Sequence, residues 1–247
     1  MVRQPAHKAA RKPVRKSARS TARNSAAGND KAPGGNREKI IAAFLSLLAE
    51  KRIEQIGLAE IADAAGVPLA GFRDEFSSAL AILAAHIKTI DRAVLAEDFS
   101  DMEDEAPRER LFDVLMRRLE MLAPHREAVR SLLRSAGRNP PLAIALNGLA
   151  VRSQQWMLTA AGIGASGPRG MLRAQGLAVM FASVLRTWVK DDDQGLARTM
   201  AALDRALARG QRVVGLIDDL CRVPSRICRL RPRRRRREED SEEAAMA

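Results

Sequence analysis

The stretch Glu60-Ile61-Ala62-Asp63-Ala64-Ala65-Gly66-Val67-Pro68-Leu69-Ala70-Gly71-Phe72-Arg73-Asp74-Glu75-Phe76 decides the fold of this 247-residue chain. Leu58, Ile61, Ala62 and Ala65 fall at i, i+3, i+4 and i+7, which puts them on one face of a short helix over Leu58–Ala65. Ala62 and Ala65 are small enough to let a second helix come close. Gly66 tolerates the positive φ of a helix C-terminus, so the helix is expected to end there. Val67 then packs beneath the turn. A second short helix is expected over Leu69–Phe76, anchored by Phe72 and Phe76 at i and i+4. Ahead of the pair lies the amphipathic segment Arg37–Lys51, with Ile40, Ile41, Phe44, Leu47 and Leu48 on its apolar face. A longer helix followed by two short ones around a tight Gly turn describes a helix-turn-helix. An ordinary small helical hairpin is the plainer alternative.

Downstream, the helical period continues. Ser77-Ser78 offers an N-cap for a helix over Ala79–Asp98. The polar, acidic segment Asp98–Pro107 reads as a loop. Arg108–Leu122, Pro124–Ala136 and Pro140–Ala161 follow as helices, and Pro124 and Pro140 suit first-turn positions, where the missing N–H costs nothing. Gly162–Gly167 is a linker before two long helices, Pro168–Val189 and Gln194–Leu220. No Val/Ile/Thr alternation marks a strand. The expected fold is all-α, a three-helix head (37–85) and a roughly six-helix bundle (86–220), with one helix shared.

The net charge of +12 is unevenly distributed. Residues 1–36 carry Arg3, Lys8, Arg11, Lys12, Arg15, Lys16, Arg19, Arg23 and Lys31 against Asp30 alone. With no Leu, Ile or Phe, this arm lacks the apolar surface to offset ordering entropy and is expected to be a disordered basic arm that seeks polyanions. Residues 221–247 form an Arg-rich, then acidic tail: Arg231–Arg237, interrupted by Pro232, precedes Glu238, Glu239, Asp240, Glu242 and Glu243. Basic and acidic residues balance between the tails. A hydrophobic content of 46% excludes wholesale disorder. No apolar run approaches the ~20 residues of a membrane span. The absence of a leucine-rich secretory core, together with only two Cys, points to the cytoplasm.

The run Glu60-Ile61-Ala62-Asp63-Ala64-Ala65-Gly66-Val67, with Phe76 and Ser78 after it, resembles the N-terminal domain of the TetR family of bacterial transcription regulators. The resemblance implies an all-helical homodimer. Its helix-turn-helix head would bind double-stranded DNA, and its bundle would hold a small apolar ligand and make the dimer contact. It also implies the candidate DNA contacts Leu58, Pro68, Leu69, Ala70, Arg73 and Asp74, with Arg37 at the start of the first helix. Arg73 would read a guanine edge, with Leu69 and Ala70 against thymine methyls.

The chain departs from the family pattern at several of these positions. Gly57 stands where a Ser or Thr cap is usual, and Pro68-Leu69 replaces a Ser-Lys pair. Arg73 replaces a Tyr, Asp74-Glu75 a polar or aromatic pair, and Ala79 a Lys. Over 53–87 Arg73 faces Glu54, Glu60, Asp63, Asp74 and Glu75, an acidic balance opposed to binding a polyanion. Two readings follow: the basic arm supplies the missing phosphate contacts, or the head has become a scaffold. The segments Trp188-Val189-Lys190-Asp191-Asp192-Asp193 and Thr199-Met200-Ala201-Ala202-Leu203-Asp204-Arg205 are similar to the TetR-fold lipid-binding accessory family of ubiquinone biosynthesis. That resemblance implies a lipid or isoprenoid ligand. Non-specific nucleic-acid binding through the tails is a third reading.

In the bundle, Trp156, Met157, Met171, Met180, Phe181, Trp188 and Met200 are either core or the lining of an adaptable apolar pocket. Asn147, Trp156, Met180 and Trp188 are the pocket candidates, with Asn147, Ser153, Gln154 and Gln175 as polar groups able to orient a ligand. Small residues of the last two helices (Gly176, Ala178, Ala182 and Ser183; Ala201, Ala202 and Ala206, with Leu203 and Leu207) suit either a dimer face or packing within the monomer. His86 and His125 have no Cys or Ser beside them that suggests an activated nucleophile, so no enzyme chemistry is indicated. Asp191-Asp192-Asp193 reads as a solvated turn and N-cap. Cys221 and Cys228 lack zinc spacing. Neither a metal nor a cofactor is expected.

Overall fold

A computed structural model describes residues 35–97, 102 and 104–227, the last fifteen of them as backbone alone. The basic arm to residue 34 and the Arg-rich tail from residue 228 lie outside the described residues. Nine α-helices and no strand occur among the described residues. Their order is α1 (Asn36–Glu50), α2 (Leu58–Ala65), α3 (Leu69–Glu75), α4 (Ala79–Leu95), α5 (Pro107–Leu122), α6 (Arg126–Ala136), α7 (Pro140–Ala160), α8 (Gly167–Trp188) and α9 (Ala197–Ile227). One-turn 3-10 helices at Ile53–Gln55 and Ala123–His125 precede α2 and α6. α4 ends three residues earlier than the sequence suggests, and α9 runs beyond Leu220, through Pro224, to Ile227.

The helix boundaries have local causes. Ser78 caps α4 by accepting from Ala81 N–H at 3.2 Å, and Asn139 caps α7 by accepting from Leu142 N–H at 3.1 Å. Pro107 and Pro140 open α5 and α7 at first-turn positions. Asp193 accepts from Ala197 N–H at 3.2 Å at the start of α9. Asp191, expected in a solvated turn, is instead buried and accepts both the N–H (2.8 Å) and the hydroxyl (2.7 Å) of Thr199. Those hydrogen bonds hold its carboxyl below the usual carboxylate range.

Two apolar clusters meet along α4. The head cluster joins Ile40, Phe44 and Leu48 of α1 to Ile61, Phe72, Phe76 and Ile82. Burying each of these large side chains contributes roughly 1.5–3 kcal/mol. The bundle cluster begins at Ile90 and Val94 of α4 and continues through Leu115, Leu119, Met157, Phe181, Trp188 and Leu203. Head and bundle also touch through α6: Ser131 Oγ donates to the Lys51 carbonyl at 2.7 Å, and Ala128 packs into the head cluster. Asn139 Nδ2 reaches Glu54 Oε1 at 3.3 Å.

Beneath this seam Asp91 of α4 is buried, accepting from Arg118 of α5 and from Ser153 Oγ of α7 at 2.7 Å. The Arg118 guanidinium also lies 5.7 Å from the Phe181 ring centre. His86, which reads as a surface or boundary residue in the sequence, is buried on α4. It meets His125 edge to face, with ring centres 4.8 Å apart.

Candidate nucleic-acid interface and bundle groove

The turn between α2 and α3 is built as the residue types require. Gly66 sits at φ +63°, ψ +34°, the left-handed conformation that ends α2. Val67 N–H returns to the Ala62 carbonyl at 3.0 Å, closing the helix end. Val67, Phe72 and Phe76 are buried, so α3 is clamped on its inner side. Its outer side carries Leu69 (59% exposed), Ala70, Arg73, Asp74 and Glu75, all open to solvent, with Pro68 at its entry and exposed Leu58 at the start of α2. The six candidates Leu58, Pro68, Leu69, Ala70, Arg73 and Asp74 therefore lie on or beside this two-helix unit.

Arg37 has a different setting. Its guanidinium lies 3.6 Å from Glu75 and 4.7 Å above the Phe76 ring centre, so it braces α1 against the end of α3. Lys51 pairs with Glu60 of α2, and that hydrogen bond holds the Glu60 carboxyl below its ordinary range. Neither α2 nor α3 has a side-chain N-cap, because Gly57 and Pro68 offer none. The acidity of residues 53–87 is thus partly answered from α1 and the turn after it. Over 35–87 the basic residues are Arg37, Lys39, Lys51, Arg52 and Arg73, against Glu38, Glu50, Glu54, Glu60, Asp63, Asp74 and Glu75. Asp63 and Asp74 are exposed and form no ion pair among the described residues.

The four bundle candidates do not come together. Trp156 is 57% exposed on the outside of α7, and Trp188 is buried at the end of α8. The Trp188 ring lies 5.3 Å from the Arg126 guanidinium, which also donates to the Trp188 carbonyl at 3.1 Å through Nε. Asn147 and Gln175 exchange side-chain amide bonds at 2.9 and 3.1 Å, joining α7 to α8. Only Met180 of the four lines the large groove, of about 920 Å³, that α5, α8, α9 and the α7–α8 turn enclose. The reason is positional: α7 is apolar around much of its circumference, so type alone does not assign Trp156 to the inner face. Met171 and Met200 are likewise exposed. Of the small-residue set, Gly176, Ser183 and Ala201 face solvent, whereas Ala178, Leu203, Ala206 and Leu207 pack within the monomer.

These elements define an all-helical protein with a helix-turn-helix head on a helical bundle. Its fold is that of the TetR-type transcriptional regulators. A TetR transcriptional regulator from Rhodococcus sp. RHA1 superposes with a TM-score of 0.52 at 20% identity, covering 71% of this chain and 95% of that one. The TetR transcriptional regulator from Nitrosomonas europaea ATCC 19718 gives 0.54 at 20% identity, covering 71% and 97%. No protein-family model matches the chain, and no curated protein sequence matches it. Among the described residues, no helix is long and apolar enough to cross a membrane.

Proposed function

We propose that this chain is a dimeric, DNA-binding transcriptional regulator of the TetR type, acting in the bacterial cytoplasm and controlled by a small apolar ligand in its bundle. The observation that carries the reading is α3: its inner face is anchored by Phe72 and Phe76 while Leu69, Ala70 and Arg73 stand free on the outer face. A helix so presented can enter a major groove and place a guanidinium and two apolar groups against base edges. In this reading residues 37–85 bind double-stranded DNA, 86–220 bind ligand and partner, and the basic arm adds phosphate contacts that the head lacks. The exposed sides of α8 and α9 supply the homodimer contact, and two heads then address a palindromic site. A ligand acts only through unequal affinity for two arrangements of the heads.

The exposed Asp74 beside Arg73 favours a second reading, a TetR-fold lipid- or isoprenoid-binding accessory protein with a head that does not read DNA. Selection of genomic fragments by the full chain and by residues 37–220, at about 0.15 M salt where exposed charges are screened beyond ~8 Å, separates the two. Enrichment of one palindrome by both supports the regulator. Indiscriminate binding by the full chain and none by the core means a head that does not read DNA, as the accessory reading requires.

A further inference from the structure

The groove beside α8 differs from a plain apolar pocket in its charge. Leu111, Leu158, Leu177, Met180 and Leu207 contribute apolar surface to it, while Arg108, Arg169, Arg173 and Arg209 stand along it. Among the described residues, no Asp or Glu contributes to the lining. Arg108 is partly committed, since it pairs with Asp204 from outside the groove. Arg173 donates to the Gly164 carbonyl at 3.2 Å and Arg209 to the Arg205 carbonyl at 3.3 Å, and neither has a carboxylate partner among the described residues. Arg169 has no such partner among the described residues either.

We infer that this groove holds an anionic amphiphile, an apolar chain ending in a carboxylate or phosphate, with its head between Arg169 and Arg173. The inference rests on the reading of the bundle as a ligand-binding unit and narrows the ligand from apolar to amphipathic and anionic. Three physical points converge. Guanidiniums bind carboxylate and phosphate in a forked, two-bond geometry. The groove volume of about 920 Å³ lies within the range of small-molecule sites. Arg169, Arg173 and Arg209 set like charge along the groove with no Asp or Glu among the described lining residues to offset it, and an anionic head offsets it.

The test uses the full chain without DNA, so a head that fails to read DNA leaves the result intact. Titration calorimetry compares dodecanoate and dodecyl phosphate with dodecanol, all below their aggregation thresholds. At least one anionic probe is expected to bind tenfold or more tightly than the alcohol, and the better of the two identifies the head. In the double variant Arg169→Gln/Arg173→Gln, circular dichroism and melting establish folding. That variant should lose the preference for the anion while keeping its affinity for dodecanol. Equal binding of alcohol and anions overturns the inference, as does a preference that survives in the folded double variant. Failure of every probe to bind the full chain also overturns it, because the groove is then closed to ligands.

Discussion

Replacing Asp91 by Ala should be among the most damaging single changes in the bundle. Asp91 is buried on α4 and receives hydrogen bonds from Arg118 of α5 and Ser153 of α7. Its removal leaves the Arg118 guanidinium, only 6% exposed, without a counter-charge. Nε of Arg118 has no hydrogen-bond partner among the described residues even with Asp91 in place. Breaking a buried ion pair by removing one member costs about 3–5 kcal/mol, against a whole-domain stability of about 5–15 kcal/mol. For a chain of this size that corresponds to a fall in Tm of roughly 6–20 °C. Thermal melting should be followed by circular dichroism at fixed protein concentration, since a dimer's Tm depends on concentration. Asp91→Asn keeps a partner for Ser153 and should still lose most of the stability, because the missing charge is the main cost. Asp91→Leu/Arg118→Met removes both charges and should return to within about 2 kcal/mol of the parent. A loss below about 1 kcal/mol for Asp91→Ala, or a double variant no better than the single one, would show that the pair is not held as described.

Further expectations concern pH, backbone and the head. Burial first, then His125 and Arg118, push His86 down to about 4 from its ordinary 6.5, so the folded protein keeps it neutral. The unfolded chain takes up that proton below about pH 6.5, so stability is full above this value and falls as pH drops towards 4, by up to about 3 kcal/mol. Urea melts at pH 7 and pH 4.5 should reveal the loss, and His86→Phe should shrink it. Gly66→Val forces a branched side chain into φ +63° and should cost at least about 1–2 kcal/mol. At Gly170 an added Cβ would lie 2.1 Å from the Ala165 carbonyl carbon, so Gly170→Ala must displace the α7–α8 turn, at about 1–3 kcal/mol or more. Gly176→Ala meets nothing within 4 Å and should be neutral or stabilising by up to about 1 kcal/mol in urea unfolding. Arg73→Ala should weaken a selected DNA site by about 1–3 kcal/mol while changing non-specific binding little, as fluorescence anisotropy would report.

The helices and the turn at Gly66 were legible in the sequence because their causes are local: apolar spacing, Pro at first turns, and one residue suited to positive φ. The anchoring of α3 was legible for the same reason, since Phe72 and Phe76 are four residues apart. The head is acidic over 35–87 as it is over 53–87, but by a smaller margin. Lys51 and Arg37, which pair with Glu60 and Glu75, lie on α1 and just after it, outside that window. The Asp91–Arg118–Ser153 cluster joins three helices over separations of 27 and 62 residues, and no periodicity marks such a set. Residue type alone placed Trp156 in a pocket, whereas its face of α7 points to solvent. The Trp188 carbonyl is held by Arg126 across 62 residues, a contact fixed by packing of α6 against the end of α8.

The central claim is that α3 reads DNA, and one comparison tests it most directly. Genomic-fragment selection should be run with the full chain and with the full-length variant Leu69→Glu/Arg73→Glu, at about 0.15 M salt. Both changes fall on the exposed side of α3, so the fold should survive them. The account predicts that the parent enriches a palindromic site and the variant does not, while both retain weak non-specific binding from the basic arm. Enrichment of the same site by the variant, or equal binding of all fragments by the parent, would contradict it.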